Sequence, residues 1–369
     1  MRILIAAGGT GGHIYPAIAL VQSIKKRYPD CSILWIGGER ELEKKIVEKE
    51  NVEFVSIDVL PLPRSFSLKW LSFTLKIIIS FVQSATIIFR FKPDVLVGVG
   101  SFHSYPVALS AFLFGIPIII CEQNVNLSLT NKMLLPFASK IALTFKDSME
   151  HIPYWSRKKA VVTGNPVREK ILTCSREEGR RKLGLEKEKF TILFLGGSQG
   201  AHHLNKLAVE TLYLIQEEKW AENIQFMIIA GEKDYSWIRE KTEKINIRGK
   251  VFSYLSHIHH ALAASDVAIS RSGATTISEM TACTLPCILI PYPYATNKHQ
   301  LKNALFLERE GAAKLITQEK VNPSLLKMTI EQIFFSNEVR DKMEKACLAL
   351  RKPEAAENLT SLILQLEKN

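Results

Sequence analysis

Residues 3–20 read ILIAAGGTGGHIYPAIAL, and the fold turns on them. Ile3, Leu4 and Ile5 form a short apolar run, whereas Ile14, Ala17, Ile18 and Val21 recur at helical spacing after the glycines. The stretch reads as strand, glycine turn, helix. The first N–H groups of such a helix lack internal partners and sit at the positive end of its dipole, so the turn suits an anion. Glycines let a phosphate approach that backbone closely. The dinucleotide fingerprint G-x-G-x-x-G, started at Gly9, puts Ile14 where the third glycine belongs, which disfavours a nicotinamide enzyme. On these residues alone, a tight turn with no ligand stays open.

The same device recurs at 190–205, FTILFLGGSQGAHHLN: an apolar strand, a turn with Gly196, Gly197 and Gly200, and a helix carrying Leu204, Leu207 and Ala208. Further apolar runs lie at 33–38, 95–100, 116–124, 225–232, 266–273 and 286–292. Most are continuous and separated by helical patterns, as expected of parallel strands buried on both faces. The 369 residues exceed one usual core. The chain is therefore expected to form two α/β domains, 1–164 and 165–350, with the boundary near GNPVR (164–168) and 351–369 a terminal helix that is a candidate to pack back on the first. The charged stretch 176–189 reads as a solvated helix and turn. Ligands in open sheets of this type sit beyond the carboxyl ends of the strands. Two such domains facing each other leave an inter-domain cleft that rotation can close on a bridging substrate.

Composition narrows the class. With 47% hydrophobic and 23% charged residues the chain is globular rather than disordered. The six cysteines show no CxxC pair and no histidine at zinc-ligand spacing, so they read as reduced thiols. The N-terminus begins directly with a strand, without a secretory layout, which predicts a cytoplasmic protein. Net charge is +11, and between Pro61 and Pro93 stand Arg64, Lys69, Lys76, Arg90 and Lys92 with no acidic residue. In residues 65–92, Lys69, Lys76, Gln83 and Arg90 recur every seven residues and form one polar helical stripe with Ser72 and Ser80; the rest is apolar. Lys76 and Gln83 fall inside any window of about 20 residues long enough to span a bilayer. An interfacial helix on anionic lipids fits better, part of it core, with Trp70, Phe73 and Ile77 on the contact patch. The positive charge accompanies apolar surface rather than polar surface interleaved with aromatics, which disfavours nucleic acid. His257, His259 and His260 read as a solvated helix start rather than a metal site. His202 and His203 open the helix after the second glycine turn, where one of them would approach a bound phosphate; neither is taken as a site residue.

The strand ends carry the polar chemistry. Glu122-Gln123-Asn124 sets an acid before two amides. Arg271 to Glu279 reads RSGATTISE, with Gly273 opening a helix and Glu279 within its first two turns, where it complements the dipole or reaches a ribose hydroxyl pair. Ala295 to Gln300 is another amide-rich turn. Taken singly these are loop chemistry; together they converge on one edge of each half.

GGTGGHIYPA (8–17), EQN (122–124), GNPVR (164–168), GGSQGA (196–201), RSGATTISE (271–279) and HQ (299–300) stand in the order that resembles glycosyltransferase family 28, the N-acetylglucosaminyltransferases of peptidoglycan synthesis, from residue 1 to about 350. The resemblance implies a GT-B fold, two Rossmann-like parallel-sheet domains facing an inter-domain cleft. It implies inverting transfer of N-acetylglucosamine from UDP-N-acetylglucosamine to the C4 hydroxyl of the muramyl sugar of undecaprenyl-pyrophosphoryl-N-acetylmuramyl-pentapeptide, lipid I to lipid II. No cofactor or metal is required. The implied partners are UDP-N-acetylglucosamine, the polyprenyl-pyrophosphate-linked muramyl-pentapeptide, an anionic membrane surface met through residues 65–92, and cell-wall synthesis proteins. The implied location is peripheral, at the cytoplasmic face of the cell membrane.

Carried over by motif, Ser198 and Gln199 face the diphosphate, the backbone around Leu255 meets the uracil, and Glu279 takes the ribose hydroxyls. Ala274, Thr275, His299 and Gln300 hold the sugar, and Arg168 lies near the nucleotide. In the first half, Thr10, Gly11, Gly12 and Asn124 join the substrate site, while His13 and Glu122 face the donor sugar. Inversion takes one displacement with a base on the attacking hydroxyl. Histidine titrates near neutrality, so His13 is the first candidate base and Glu122 the second. Helix N-termini with Arg271 or Arg168 stabilise the leaving diphosphate. The sequence departs from the family at GSFHSYP (Gly100 to Pro106) for GGYxSGP, at Cys121 for a histidine, and at YLSHI (254–258) for FIDDM. A related glycolipid glycosyltransferase, a UDP-sugar 2-epimerase and a catalytically silent UDP-sugar-binding scaffold are the alternatives.

Overall fold

A computed structural model describes residues 1–9, 11–60, 69–196 and 200–367. The chain divides into two compact units: unit 1, Met1–Arg168 with Lys352–Asn369, and unit 2, Glu169–Arg351. The division thus falls at the end of GNPVR, four residues beyond the expected boundary at 164.

Unit 1 alternates strand and helix: β1 (Arg2–Ala6), α1 (Gly11–Arg27), β2 (Ser32–Gly37), α2 (Glu41–Glu48), β3 (Glu53–Ser56), α3 (Lys69–Phe91) and β4 (Val95–Gly98). It continues with α4 (Ser104–Leu113), β5 (Ile118–Glu122), α5 (Leu129–Leu134), β6 (Lys140–Leu143) and β7 (Ala160–Val162). All seven strands are parallel in the order β3-β2-β1-β4-β5-β6-β7, with Ile3 between Ile33 and Val95. The apolar runs are continuous because both faces are covered. On one face Ile14, Ala17, Ile18, Val21 and Ile24 of α1 pack with Leu359, Leu362 and Ile363. The other face carries Ile88 of α3, Val107, Ala108 and Ala111 of α4, and Leu134 of α5.

α3 corrects part of the sequence reading. Ser80, expected in the polar stripe, is fully buried; its Oγ donates to Ile77 O (2.9 Å), and Ser84 Oγ donates to Ser80 O (2.7 Å). These serines spend their hydroxyls on the helix backbone, so they pass into an apolar interface. Lys76 stays polar by pairing with Asp58. Phe73 and Ile77, expected on the outer patch, are half-buried, and the outward side chains are Leu75, Ile78, Ile79, Val82 and Phe89. Residues 65–68 and the Trp70 side chain lie outside what is described.

Unit 2 comprises α6 (Glu169–Thr173), α7 (Arg176–Leu183), β8 (Phe190–Leu195), α8 (His202–Ile215), β9 (Ile224–Ile229), α9 (Tyr235–Thr242) and β10 (Gly249–Phe252). There follow α10 (Ile258–Ala264), β11 (Val267–Ser270), α11 (Ala274–Ala282), β12 (Cys287–Leu289), α12 (His299–Arg309), β13 (Ala313–Leu315), α13 (Pro323–Phe335) and α14 (Asn337–Leu350). The six strands are parallel, ordered β10-β9-β8-β11-β12-β13, around a core that includes Phe194, Phe226 and Ile269. The remaining helix, α15 (Ala355–Glu367), returns to unit 1, where Thr360 Oγ1 meets Ser23 Oγ (3.0 Å) and Arg27 donates to Ser361 Oγ (2.9 Å).

The stretch 176–189 is not simply solvated. Ser175 caps α7 through Glu178 N (3.1 Å) and Gly184 ends it at φ 58°, as its composition suggests. Arg180, however, is buried: it donates to Asp266 Oδ2 (2.7 Å) and Ala264 O (3.1 Å), while Arg176 takes Asp266 Oδ1 (2.7 Å). Arg176 and Arg180 share one helical face, and that face meets the start of β11.

Candidate active site

In unit 1 the turn after β1 is held from both sides. Gly9 (φ 98°) donates its N–H to Glu43 Oε2 (3.4 Å), and Arg40 Nη1 donates to Gly9 O (2.8 Å). Burial pushes the Glu43 carboxyl up, and the Gly9 N–H pulls it back. The His103 ring explains two glycines: a Cβ on Gly8 would lie 2.7 Å from its Nδ1, and one on Gly38 2.9 Å from its Nε2. Phe102 stacks on the same ring at 4.4 Å. Burial, with Arg40 and His13 nearby, lowers His103 to about 4, so it is neutral at physiological pH. Sequence reasoning missed Glu43 and His103; a glycine pair after β2 answering the one after β1 was the available signal.

Gly11, Gly12 and His13 form the first turn of α1, all half-buried. Arg168 stacks its guanidinium 4.1 Å over Tyr15 of that helix, so it stands with unit 1 rather than with the second domain in which the sequence boundary had set it. Thr10 lies outside the described residues. At the end of β5, Glu122 is only 2% exposed and its oxygens are occupied. Oε1 accepts from Asn124 N (3.0 Å) and Asn124 Nδ2 (3.3 Å), and Oε2 from Ser128 N (2.7 Å) and Asn131 Nδ2 (2.8 Å). Burial pushes this carboxyl up while the donors pull it down. A carboxylate so engaged shapes the 122–131 loop. In the altered loop 100–106, Gly100 has φ 80°, whereas Ser101 and Tyr105, where the family pattern has glycine, are not among the described residues with positive φ. The backbone here needs no glycine at those two positions.

In unit 2 the polar residues gather beyond β8, β11 and β12. Gly197, Ser198 and Gln199 lie outside the described residues, but the turn's end is fixed: Gly200 has φ 75°, and a Cβ there would sit 2.5 Å from Ala230 O. Arg271, buried, donates to Ile290 O (2.9 Å) and Gln318 Oε1 (2.6 Å), bracing the ends of β11 and β12. Ser272 Oγ donates to Gln300 O (2.8 Å), and Gln300 Oε1 accepts from Tyr292 N (2.9 Å). His299 Nδ1 meets Thr296 O (2.8 Å). These bonds stitch the RSG turn to the 295–300 turn beside the first turn of α11, where Ala274 and Thr275 sit. Glu279, in the next turn of α11, is buried, and Leu255 lies in the loop after β10. His257, His259 and His260 cluster at the start of α10, and His260 is more enclosed than expected, its Nε2 4.0 Å from Glu178. Among the described residues no group of three or more His, Cys, Asp or Glu is placed to hold a metal ion.

Residues 3–143 match the glycosyltransferase family 28 N-terminal domain, and residues 191–359 its C-terminal domain. A relative from Halothermothrix orenii, named UDP-N-acetylglucosamine–N-acetylmuramyl-(pentapeptide) pyrophosphoryl-undecaprenol N-acetylglucosamine transferase, is 39% identical over 369 residues, 98% of each chain. The chain belongs to glycosyltransferase family 28. Its two parallel Rossmann-like sheets are those of the GT-B fold, as expected. The crystal structure of MurG from Acinetobacter baumannii shares that fold with a TM-score of 0.74 at 22% identity over 99% of each chain. So does a UDP-GlcNAc 2-epimerase from Neisseria meningitidis, with a TM-score of 0.72 at 14% identity over 99% of this chain and 100% of that one. At such identities the likeness is one of fold, and only the full-length relatives separate this family 28 chain from an epimerase.

Proposed function

We infer that this chain transfers N-acetylglucosamine from UDP-N-acetylglucosamine to the C4 hydroxyl of undecaprenyl-pyrophosphoryl-N-acetylmuramyl-pentapeptide, with inversion. The observation that carries this reading is the 39% identity, end to end, with a transferase of that name. In unit 2, Ser198 and Gln199 meet the diphosphate, Leu255 the uracil and Glu279 the ribose. Ala274, Thr275, His299 and Gln300 hold the sugar, and Arg271 keeps their two turns together. In unit 1, Thr10, Gly11, Gly12, Asn124 and Arg168 serve the substrate site.

The reaction is one displacement: the acceptor oxygen bonds to C1, the bond from C1 to the diphosphate oxygen breaks, and its electron pair leaves with UDP. His13 takes the hydroxyl proton, a role suited to an imidazole near neutral pH. Glu122 orders the loop around Asn124 and leaves proton transfer to His13. The positive ends of α8 and α11 meet the developing negative charge, and on this reading the step calls for no metal or other cofactor.

The outward apolar side chains of α3, with Arg90 and Lys92 at its end, are suited to an anionic lipid surface. On this reading the enzyme works peripherally at the cytoplasmic face of the cell membrane, beside its polyprenyl-linked acceptor and other cell-wall synthesis proteins. The test is transfer of radiolabelled N-acetylglucosamine to a short-chain lipid-linked muramyl-pentapeptide by wild type, His13→Ala and Glu279→Ala. Transfer by wild type and its loss in both variants, with weaker UDP binding only in Glu279→Ala, is the expected result. Binding of the UDP-sugar with no transfer to any lipid-linked acceptor would leave a silent scaffold, and release of the 2-epimer an epimerase.

A further inference from the structure

Glu43, the third residue of α2, is a carboxyl placed where it costs the fold stability. It is 1% exposed, its Oε2 accepts from Gly9 N–H at 3.4 Å, and its Oε1 has no hydrogen-bond partner among the described residues. A Cβ on Gly37 would collide with Oε1, so β2 ends in a glycine that leaves room for it. Burial raises this carboxyl, with the N–H groups of Gly9, Trp35 and Gly38 and the charge of Arg40 opposing. A buried polar atom without a partner is a net penalty that an apolar side chain of similar length would avoid.

What the carboxyl does there is hold Gly9, whose φ of 98° is open to glycine without steric cost. Glu43 takes the N–H of that residue, and Arg40 Nη1 donates to its C=O at 2.8 Å. Arg40 and Glu43 stand three residues apart at the start of α2, so their side chains leave one face of it together. Both backbone groups of Gly9 are thus fixed by side chains from another loop. The residue before it is closed off by the His103 ring, and two residues after it α1 begins, with His13 in its first turn.

We propose that Glu43 and Arg40 are positioning residues for the transfer: by gripping Gly9 they set where α1 begins, and so where His13 stands. They act through Gly9 and not on the substrate. The proposal rests on the reading of His13 as the base. A costly buried carboxyl is retained because it keeps the turn in one place, and such a device trades stability for activity. Removing it should therefore raise the one and lower the other, whereas removing a mere structural prop lowers stability first. A misplacement of about 1 Å at a reacting group costs on the order of 100-fold in rate.

The experiment measures kcat and KM for transfer to the short-chain lipid-linked acceptor, together with the melting temperature. The proteins are wild type, Glu43→Met, Glu43→Gln, Arg40→Met, His13→Ala, and Glu43→Met combined with His13→Ala. In Glu43→Met the melting temperature is expected to hold or rise while kcat falls about tenfold or more, with the KM for the UDP-sugar unchanged. Glu43→Gln keeps an oxygen for Gly9 N–H and recovers most of that loss, and Arg40→Met lowers kcat in the same direction. In the His13→Ala background the Glu43→Met loss disappears, because nothing remains to be positioned. A Glu43→Met protein with wild-type kcat overturns the proposal, as does one whose melting temperature falls along with kcat. A Glu43→Met loss that persists undiminished without His13 overturns it too. Full transfer by His13→Ala alone overturns instead the reading of His13 as the base.

Discussion

Glu122→Gln separates a carboxylate that moves a proton from one that holds a loop. The substitution keeps the shape of the side chain and replaces one of its two oxygens with an NH2 group. Both oxygens accept from a backbone N–H, Oε1 from Asn124 and Oε2 from Ser128, so whichever way the amide turns, one backbone donor faces another donor. Asn131 Nδ2 has a second acceptor in Cys121 O (3.0 Å), whereas the two backbone groups are fixed by the chain. A buried donor left unsatisfied costs about 1–3 kcal/mol. For a unit of this size, about 2 kcal/mol lowers the melting temperature by roughly 4–8 °C. The assay pairs differential scanning calorimetry with transfer kinetics at varied acceptor concentration. A loop brace predicts the lower melting temperature, a raised acceptor KM, and a kcat within about tenfold of wild type, whereas removal of a general base costs about 100-fold or more. An unchanged melting temperature together with a kcat down 100-fold or more, at unchanged KM, would refute the reasoning and make Glu122 the proton acceptor.

Two further outcomes follow from unit 1. The folded value of His103, about 4, lies below the ordinary 6.5, so the neutral ring's contribution is fully present above pH 6.5 and is lost as pH falls toward 4. The loss amounts to about 3 kcal/mol, and His103→Phe, which keeps a ring between Gly8 and Gly38, should lose markedly less stability between pH 7 and pH 4.5. Equal acid sensitivity in the two proteins would show that His103 protonation is not the cause. On α3, the double variant Val82→Asp, Phe89→Asp replaces side chains 57% and 66% exposed and should abolish sedimentation with phosphatidylglycerol vesicles without changing the melting temperature. Wild-type sedimentation by that variant would remove α3 from the membrane contact.

The sequence showed what repeats and what runs long. Both glycine turns were legible, and so were β1, β2, β4, β5, β8, β9, β11 and β12, because buried parallel strands write continuous apolar runs. The strands β3, β6, β7, β10 and β13 were not read. Each has only three or four residues, and all but β7 (AVV) include a polar or charged one, as in AKL or GKVF, so none leaves a long apolar run and each owes its identity to its neighbour's register. In α3 the heptad spacing of the polar residues was visible, but spacing cannot say which side of a helix faces the sheet, and Ser80 went inward. Glu43 and His103 escaped for a different reason. Their partners, Gly8, Gly9 and Gly38, are distant in sequence, and a contact between loops has no local period to betray it.

The return of α15 to α1 reverses the order in which the two units can be completed during synthesis. Unit 2 is one continuous segment, so it has everything it needs once residue 351 has left the ribosome. Unit 1, begun first, finishes second: α1 can settle on the early strands, but the part of its apolar surface that meets Leu359, Leu362 and Ile363 stays uncovered until they arrive. For the time taken to translate more than half the chain, the nascent protein carries an open greasy groove on its oldest part. Chaperone engagement and protease attack should concentrate there, and chains truncated just before α15 should be cleared although every strand of both sheets has been made.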